Sequence, residues 1–400
     1  MKISLVIPTR QRAVYLKSSL QTALDIDDDN LEIVVSDNCS TDHTRELVSA
    51  ISDPRLIYTR PETGVSMRAN FENGLAACTG DYISFIGDDD GYLPGQFARL
   101  RQILEQDRPD CLYWALPSYT WPVHGVSSPL KLRRRTLFGA PRTVDMTAQR
   151  ADLMRARITP INWAPAIYHG MASRDYLRRI AMPDGTVFCG SIPDIYFGYR
   201  GLLAGGNVLR IEHPFSLGGQ SPASNGRAQT AAHGNDTATG FINDNASDPL
   251  RDVIPQRRSI PWVLFSTLET ARARATDDCP TPDYESWYRY ILNHEPSTTP
   301  ESHVELHAAL RAEAKRTGTH DALDRALVAP QIRGDGVVEK LTRELSNLHR
   351  IKLDTVLDGE DTILTAVRAC DRVLGDLFDD VQANRISRAK AWRQLVRAAR

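Results

Sequence analysis

Asp88, Asp89 and Asp90, three carboxylates in a row, are the residues of this 400-residue chain most suited to chemistry. They follow Tyr82-Ile83-Ser84-Phe85-Ile86, an aromatic and β-branched run, through the single residue Gly87; Gly91 and Pro94-Gly95 turn the chain just beyond. Like charges this close repel one another. A divalent cation offsets that cost, because Mg²⁺ or Mn²⁺ takes hard oxygen ligands and keeps positions open for phosphate. An acidic turn facing water is the plain alternative. Two further polar groups stand at strand-like ends: Pro8-Thr9-Arg10, and Asp37-Asn38. Taken singly, Asp37 suits an Asx-turn and Thr9 a helix cap. Together the three ends can converge on one crevice, the place where open α/β sheets bind ligands.

The elements that must position these groups alternate. Lys2–Ile7, Leu31–Ser36, Arg55–Tyr58 and Tyr82–Ile86 read as strands, with helices expected over Ala13–Leu24, from Thr44, over Met67–Ala77 and from Gln96. The alternation predicts an α/β fold with a doubly wound, largely parallel sheet. No GxGxxG follows the first strand and no GxxxxGK[ST] is present, which removes the dinucleotide and P-loop sites. What remains is a nucleotide site built from side chains and a metal.

The segments SLVIPTRQRAVYLKSSLQTAL, EIVVSDNCSTDHT and GDYISFIGDDDGYLPG, in this order and spacing, resemble the GT-A glycosyltransferases of family 2. The resemblance is fullest over about the first 100 residues and extends to residue 226, within the usual size of a domain. It implies a Rossmann-like mixed sheet, a nucleotide-diphosphate sugar donor with UDP or dTDP favoured, Mg²⁺ or Mn²⁺, and inversion at the anomeric carbon. By the same resemblance Pro8, Thr9 and Arg10 line the nucleoside pocket and Asp37 meets the base. Asp88, Asp89 and Asp90 supply the DxD motif for ribose and metal, although many relatives carry an Asp where this chain has Gly87. The resemblance also makes Asp194, in CGSIPDIYFG, the base that takes the acceptor proton, with Asp184 and Asp175 as fallbacks. Ser191-x-x-Asp194 matches a capping box as well, and the roles are compatible because a helix N-terminus keeps a carboxylate ionised. His213 is the expected late metal ligand. Ser221, Ser224 and Asn225 lie in a Gly/Ser-rich loop suited to covering the donor.

Three regions follow: a catalytic domain over 1–226, a polar linker or lid over 227–257, and an all-α C-terminal domain over 258–400. The last is expected to recognise the acceptor, to form a homodimer, or to dock on a membrane or a partner, although its basic final helix shows no clear lipid-facing stripe. Its helices are read over Pro261–Ala275, Tyr284–His294, Ser302–Arg316, Val337–Ile351, Asp361–Leu374 and Asp379–Arg400. The KLRRR cluster, Lys131–Arg135, reads as a solvated loop in preference to a site for a phosphate-bearing or lipid-linked acceptor. A formal net charge of −2 gives no reason to expect nucleic acid. No apolar run is long enough to span a bilayer, and six scattered cysteines without a CxxC pair suit a reduced, cytoplasmic protein. The expected activity is a metal-dependent, inverting sugar transfer to a carbohydrate, lipid-linked or small-molecule acceptor, in surface-polysaccharide or glycoconjugate assembly. Decoration of a small metabolite, nucleotidyl transfer, or a non-catalytic sugar-nucleotide scaffold are the competing readings.

Overall fold

The computed structural model describes residues 1–157, 165–223, 245–257, 259–275, 279–295, 299–329 and 349–399. Its strands are β1 (Ile3–Thr9), β2 (Leu31–Asp37), β3 (Leu56–Thr59), β4 (Tyr82–Phe85), β5 (Gly91–Tyr92), β6 (Cys111–Trp114), β7 (Ser118–Thr120), β8 (Leu130–Arg133), β9 (Arg142–Thr143), β10 (Gly170–Ser173), β11 (Val208–Ile211), β12 (Ser216–Gln220) and β13 (Arg350–Leu353). Eight of them form one mixed sheet in the order β3-β2-β1-β4-β10-β6-β11-β9. The first four run parallel, as the alternating sequence predicts, while β10 runs antiparallel between β4 and β6.

β1, β2 and β4 are buried along nearly their whole length, so they read as continuous apolar runs without alternation. Successive side chains still leave on opposite faces. Leu5 and Ile7 pack with Leu16 and Leu20 of the helix Ala13–Leu24, whereas Val6 packs with Phe71 of the helix Met67–Ala76. The helix Pro193–Ala204 belongs to this second face. A small sheet, β5-β12-β7, sits beside the carboxyl ends of the parallel strands.

The C-terminal part is mostly helical but divides between the two faces. Ile260–Ala273 packs on Pro193–Ala204, while Ile363–Leu374 packs on Ala13–Leu24 and on β5 and β12. β13 interrupts the helices and pairs antiparallel with β8, burying Leu353 beside Leu130. Arg350 and Ile351, expected at the end of a helix, therefore lie in a strand; the rest of that expected helix, to residue 348, lies outside the described residues. The expected last helix is two, Leu377–Gln382 and Arg388–Ala398, separated at Asn384, whose φ of 56° ends the first. A helix over His320–Val328 was not expected. Within the expected linker, residues 227–244 lie outside the described residues. From Asn245 onward the chain is held down: Arg68 Nε donates to Asp248 at 2.8 Å and the Ser191 N–H to Asp252 at 2.8 Å.

Candidate functional site at the strand ends

In the β1–β2 register Thr9 stands beside Asp37, and β4 flanks β1 on the other side with Phe85 beside Val6. The three strands therefore end at one edge, and their terminal polar residues meet there. The Thr9 hydroxyl donates to Asp88 Oδ2 at 2.7 Å. Arg12, where the following helix starts, donates to Asp88 Oδ1 at 3.1 Å and to the Ala223 carbonyl. Asp37 is fully buried and accepts from the Ser40 N–H at 2.9 Å, the Tyr58 hydroxyl at 2.5 Å and Arg60 at 2.9 Å. The first of these is the local turn that the sequence suggests.

Because β10 runs antiparallel to β4, the residues that lead into it, Tyr168 and His169, arrive at the same edge. The Tyr168 hydroxyl donates to Asp90 Oδ2 at 2.5 Å, and His169 Nε2 lies 3.0 Å from that oxygen with Nδ1 2.8 Å from Ser216 Oγ. β12 closes the crevice from the other side. The Gly219 N–H donates to Asp90 Oδ1 at 2.6 Å and the Ser221 N–H to Asp89 Oδ2 at 3.2 Å. This close approach needs a glycine: a Cβ on Gly219 would fall 1.7 Å from the Asp89 carbonyl oxygen. Gly87 is required for a similar reason, since its Cβ would sit 2.7 Å from the Tyr168 hydroxyl and 3.0 Å from carboxylate oxygens of Asp89 and Asp90. An aspartate at position 87 has no room here.

The three aspartates are almost wholly buried yet differ in how they are held. Burial raises the proton affinity of Asp88, opposed by Arg12 and Thr9. Asp90 stays below the usual range: burial acts against it, but His169, Tyr168 and the Gly219 N–H outweigh that. Asp89 is pushed up to about 7 by burial and then by the neighbouring charges of Asp90 and Asp88. Only one hydrogen bond, from Ser221, reaches its carboxylate among the described residues. Asp89 is thus the carboxylate most in need of a cation.

Residues 4–151 match the family model "Glycosyl transferase family 2". Over that part the chain is similar to this family. Over 104 residues the chain is 33% identical to the GalNAc(5)-diNAcBac-PP-undecaprenol β-1,3-glucosyltransferase of Campylobacter jejuni, covering 25% of this chain and 34% of that protein. Over 110 residues it is 33% identical to the abequosyltransferase RfbV of Salmonella typhimurium, covering 26% and 33% of the two chains. The chain therefore spans about a third of the length of these curated relatives. Among solved structures, Staphylococcus aureus TarS 1–349 in complex with UDP-GlcNAc is similar at 15% identity and a TM-score of 0.46, covering 90% of this chain and 95% of that one.

The expected site residues fall into two groups. Thr9, Asp37, Asp88, Asp89 and Asp90 are gathered at the strand ends. Pro8 is half-buried beside them and Arg10 is exposed; the arginine that reaches the aspartates is Arg12, two positions later. Asp194 sits part-buried in the first turn of its helix, within electrostatic reach of the Tyr168–His169 pair. Burial raises its proton affinity, opposed by the N–H groups of Ile195 and Asp194 itself and by His169. The expected capping box does not form, because Ile192 is the N-cap and no side chain caps the helix. Asp175 and Asp184 lie elsewhere: Asp175 pairs with Arg178 at 3.0 Å, and Asp184 accepts from the Thr186 N–H at 3.0 Å.

Two expected metal ligands need correction. Asp90 spends both oxygens on Gly87, Gly219, Tyr168 and His169, which makes it the anchor of the loop. His213 is buried in an aromatic cluster, 4.2 Å from the Phe378 ring centroid, with Nε2 3.0 Å from Gln96 Oε1 and Nδ1 accepting from the Phe138 N–H at 3.4 Å. Burial drives its pKa down to about 3, so it is a neutral core residue. Among the described residues no three His, Cys, Asp or Glu side chains form a ready-made metal cage. The donor set nonetheless fits a hard cation that arrives with its own oxygens, since Mg²⁺-type sites commonly use one or two carboxylates plus substrate phosphates and water. Ser224 and Asn225 lie outside the described residues. The sequence does not reveal the contacts of Arg12, Tyr168 and His169, since only the β4–β10 pairing shows what the last two touch.

Proposed function

We propose that the chain transfers a sugar from a nucleotide-diphosphate sugar to an acceptor hydroxyl with inversion. The single observation that carries this is the convergence at one edge of Thr9, Asp37 and Asp88–Asp90 with Asp194 alongside. The nucleoside would lie over the ends of β1 and β2. Asp37 has three of its roughly four acceptor positions filled, leaving one for a base N–H such as that of uracil or thymine. Asp88, fixed by Thr9 and Arg12, would face the ribose, and Asp89 would hold the cation.

In the reaction Asp194 accepts the proton of the acceptor hydroxyl while that oxygen attacks the anomeric carbon. The bond from that carbon to the diphosphate oxygen breaks, and the electron pair leaves with the nucleoside diphosphate. Burial favours this role, because a carboxylate with raised proton affinity is a better base at neutral pH. When bound, Mg²⁺ or Mn²⁺ would offset the charge growing on the leaving phosphates. Arg12 and the backbone N–H groups of Gly219 and Ser221 hold the aspartates in place. The names of the curated relatives favour a lipid-linked or polysaccharide acceptor, and we extend that to this chain as part of the proposal. We also keep 1–226 as the catalytic region, with the part beyond 258 defining the acceptor side.

A thermal-shift series with nucleoside diphosphates, with and without Mn²⁺, tests the donor site, since a ligand bound only by the folded state raises the melting temperature. The expected result is a Mn²⁺-dependent shift selective for UDP or dTDP compounds that Asp89→Asn abolishes. A shift equal in both proteins removes Asp89 from the site, and none with any nucleotide favours a non-catalytic scaffold.

A further inference from the structure

The sequence holds three basic segments far apart: Lys131–Arg135, Arg350–Lys352, and 381–400, a stretch with no Asp or Glu. The fold puts them side by side. β8 and β13 pair so that Lys131 stands directly opposite Lys352 and Arg133 directly opposite Arg350, all four exposed, while Leu130, Leu132 and Leu353 face the core. Like charges directly opposite across a strand pair are destabilising, and nothing in the packing of the apolar side requires them. The helix Arg388–Ala398 joins this ribbon through Arg388, which donates to the carbonyls of Leu137 and Arg135. It buries Ala391 and Leu395 and presents Lys390, Arg393 and Arg397 to solvent. Arg134 and Arg135 are exposed between the two elements. A chain of net charge −2 thus brings exposed Lys and Arg residues of the ribbon together with a helix that is tied to it through Arg388.

We propose that this face docks on an anionic lipid bilayer. A polybasic surface is attracted to such a membrane within about a Debye length of it, each Lys or Arg adding to the binding. The chemistry of the face favours lipid over nucleic acid. Single-stranded nucleic-acid sites interleave cations with exposed aromatic rings for stacking, and no Phe, Tyr or Trp is exposed among the described residues. The exposed apolar side chains next in sequence to the ribbon are aliphatic, Val126 ahead of β8 and Val356 after β13. The positive surface is bounded where Asp354, Asp358 and Glu360 follow β13. The docked face is tied to the strand-end crevice through β7, which shortly precedes β8 and pairs with β12. The inference stands independently of the transferase reading, because its test reads lipid and not turnover.

The test is co-flotation of the full chain with phosphatidylcholine vesicles, with and without phosphatidylglycerol, at low and high salt. The expected result is partitioning onto the anionic vesicles alone, lost at high salt, and weakened at least tenfold in the double variant Lys131→Glu, Arg133→Glu. That variant converts both like-charge pairs into opposite-charge pairs, so it keeps or raises the melting temperature and its loss of binding cannot be ascribed to unfolding. A second double variant, Arg393→Glu with Arg397→Glu, should weaken binding similarly. Equal partitioning onto neutral vesicles, no partitioning at all, or binding unchanged in both variants overturns the proposal. So does tighter binding to RNA than to anionic vesicles at the same salt.

Discussion

Two places in this molecule set like charges side by side, and they are handled in opposite ways. Asp88–Asp90 are buried at a strand end, where each carboxylate must find a donor or cation. Lys131, Arg133, Arg350 and Lys352 are exposed on a two-stranded ribbon, where water and salt screen them. In the crevice the repulsion is answered by Thr9, Arg12, Tyr168, His169 and the N–H groups of Gly219 and Ser221, leaving Asp89 short. On the ribbon the exposed ammonium and guanidinium groups can donate to water. Burial turns crowded charge into a preorganised site, while exposure keeps it at the protein surface.

The sharpest break of this comparison is within the crevice. Asp194→Asn removes the proposed base and keeps the side-chain shape. Turnover should fall by ~10²-fold or more while nucleotide-induced thermal shifts persist, as general-base contributions predict. Retained turnover moves the base elsewhere; lost nucleotide binding makes Asp194 a donor-site residue instead.

Next in size is the removal of a buried counter-charge. Arg12→Ala leaves Asp88 without its only cationic partner among the described residues, which should destabilise the fold by about 3 kcal/mol. Denaturant unfolding measures it. A change under about 0.5 kcal/mol would put Arg12 with the surface pairs, which contribute little.

A lone buried carboxylate sharpens the contrast with the triple one. Glu32 is buried, which raises its proton affinity, yet Lys2 at 2.5 Å, Ser4 at 2.5 Å and Thr79 at 2.7 Å together bring its pKa down to about 2. Its folded value lies below its ordinary one near 4.5. The stability it contributes is therefore present above pH 4.5 and is lost as the pH falls toward 2, at most about 3 kcal/mol. Unfolding midpoints of wild type and Glu32→Gln should converge across that window. Parallel pH dependences would show that Glu32 is not the group responsible.

Much of the domain was legible in the sequence. Buried parallel strands write themselves as apolar runs, so β1, β2 and β4 and their polar ends are visible in the residue pattern alone. The family resemblance added expected roles for Asp37, Asp88 and Asp89, and one for Asp90 that its hydrogen bonds to the loop argue against. β10, by contrast, is Gly-Met-Ala-Ser, too short and small to announce a strand, so its antiparallel entry and the residues it delivers went unseen. His213 misled because a histidine after a strand looks the same whether it ends in a cleft or in an aromatic core.

The sequence by itself determined the alternating α/β plan, the acidic strand end and the absence of a phosphate-binding glycine loop, because periodicity and local motifs are encoded within a few residues. Only the tertiary structure decided which arginine neutralises Asp88, that Asp90 anchors the loop, and that Lys131 and Arg133 stand opposite Lys352 and Arg350 with Arg388 bonded alongside. Those outcomes depend on pairing between segments tens to hundreds of residues apart, and strand register and helix docking are set by the packing of the whole core.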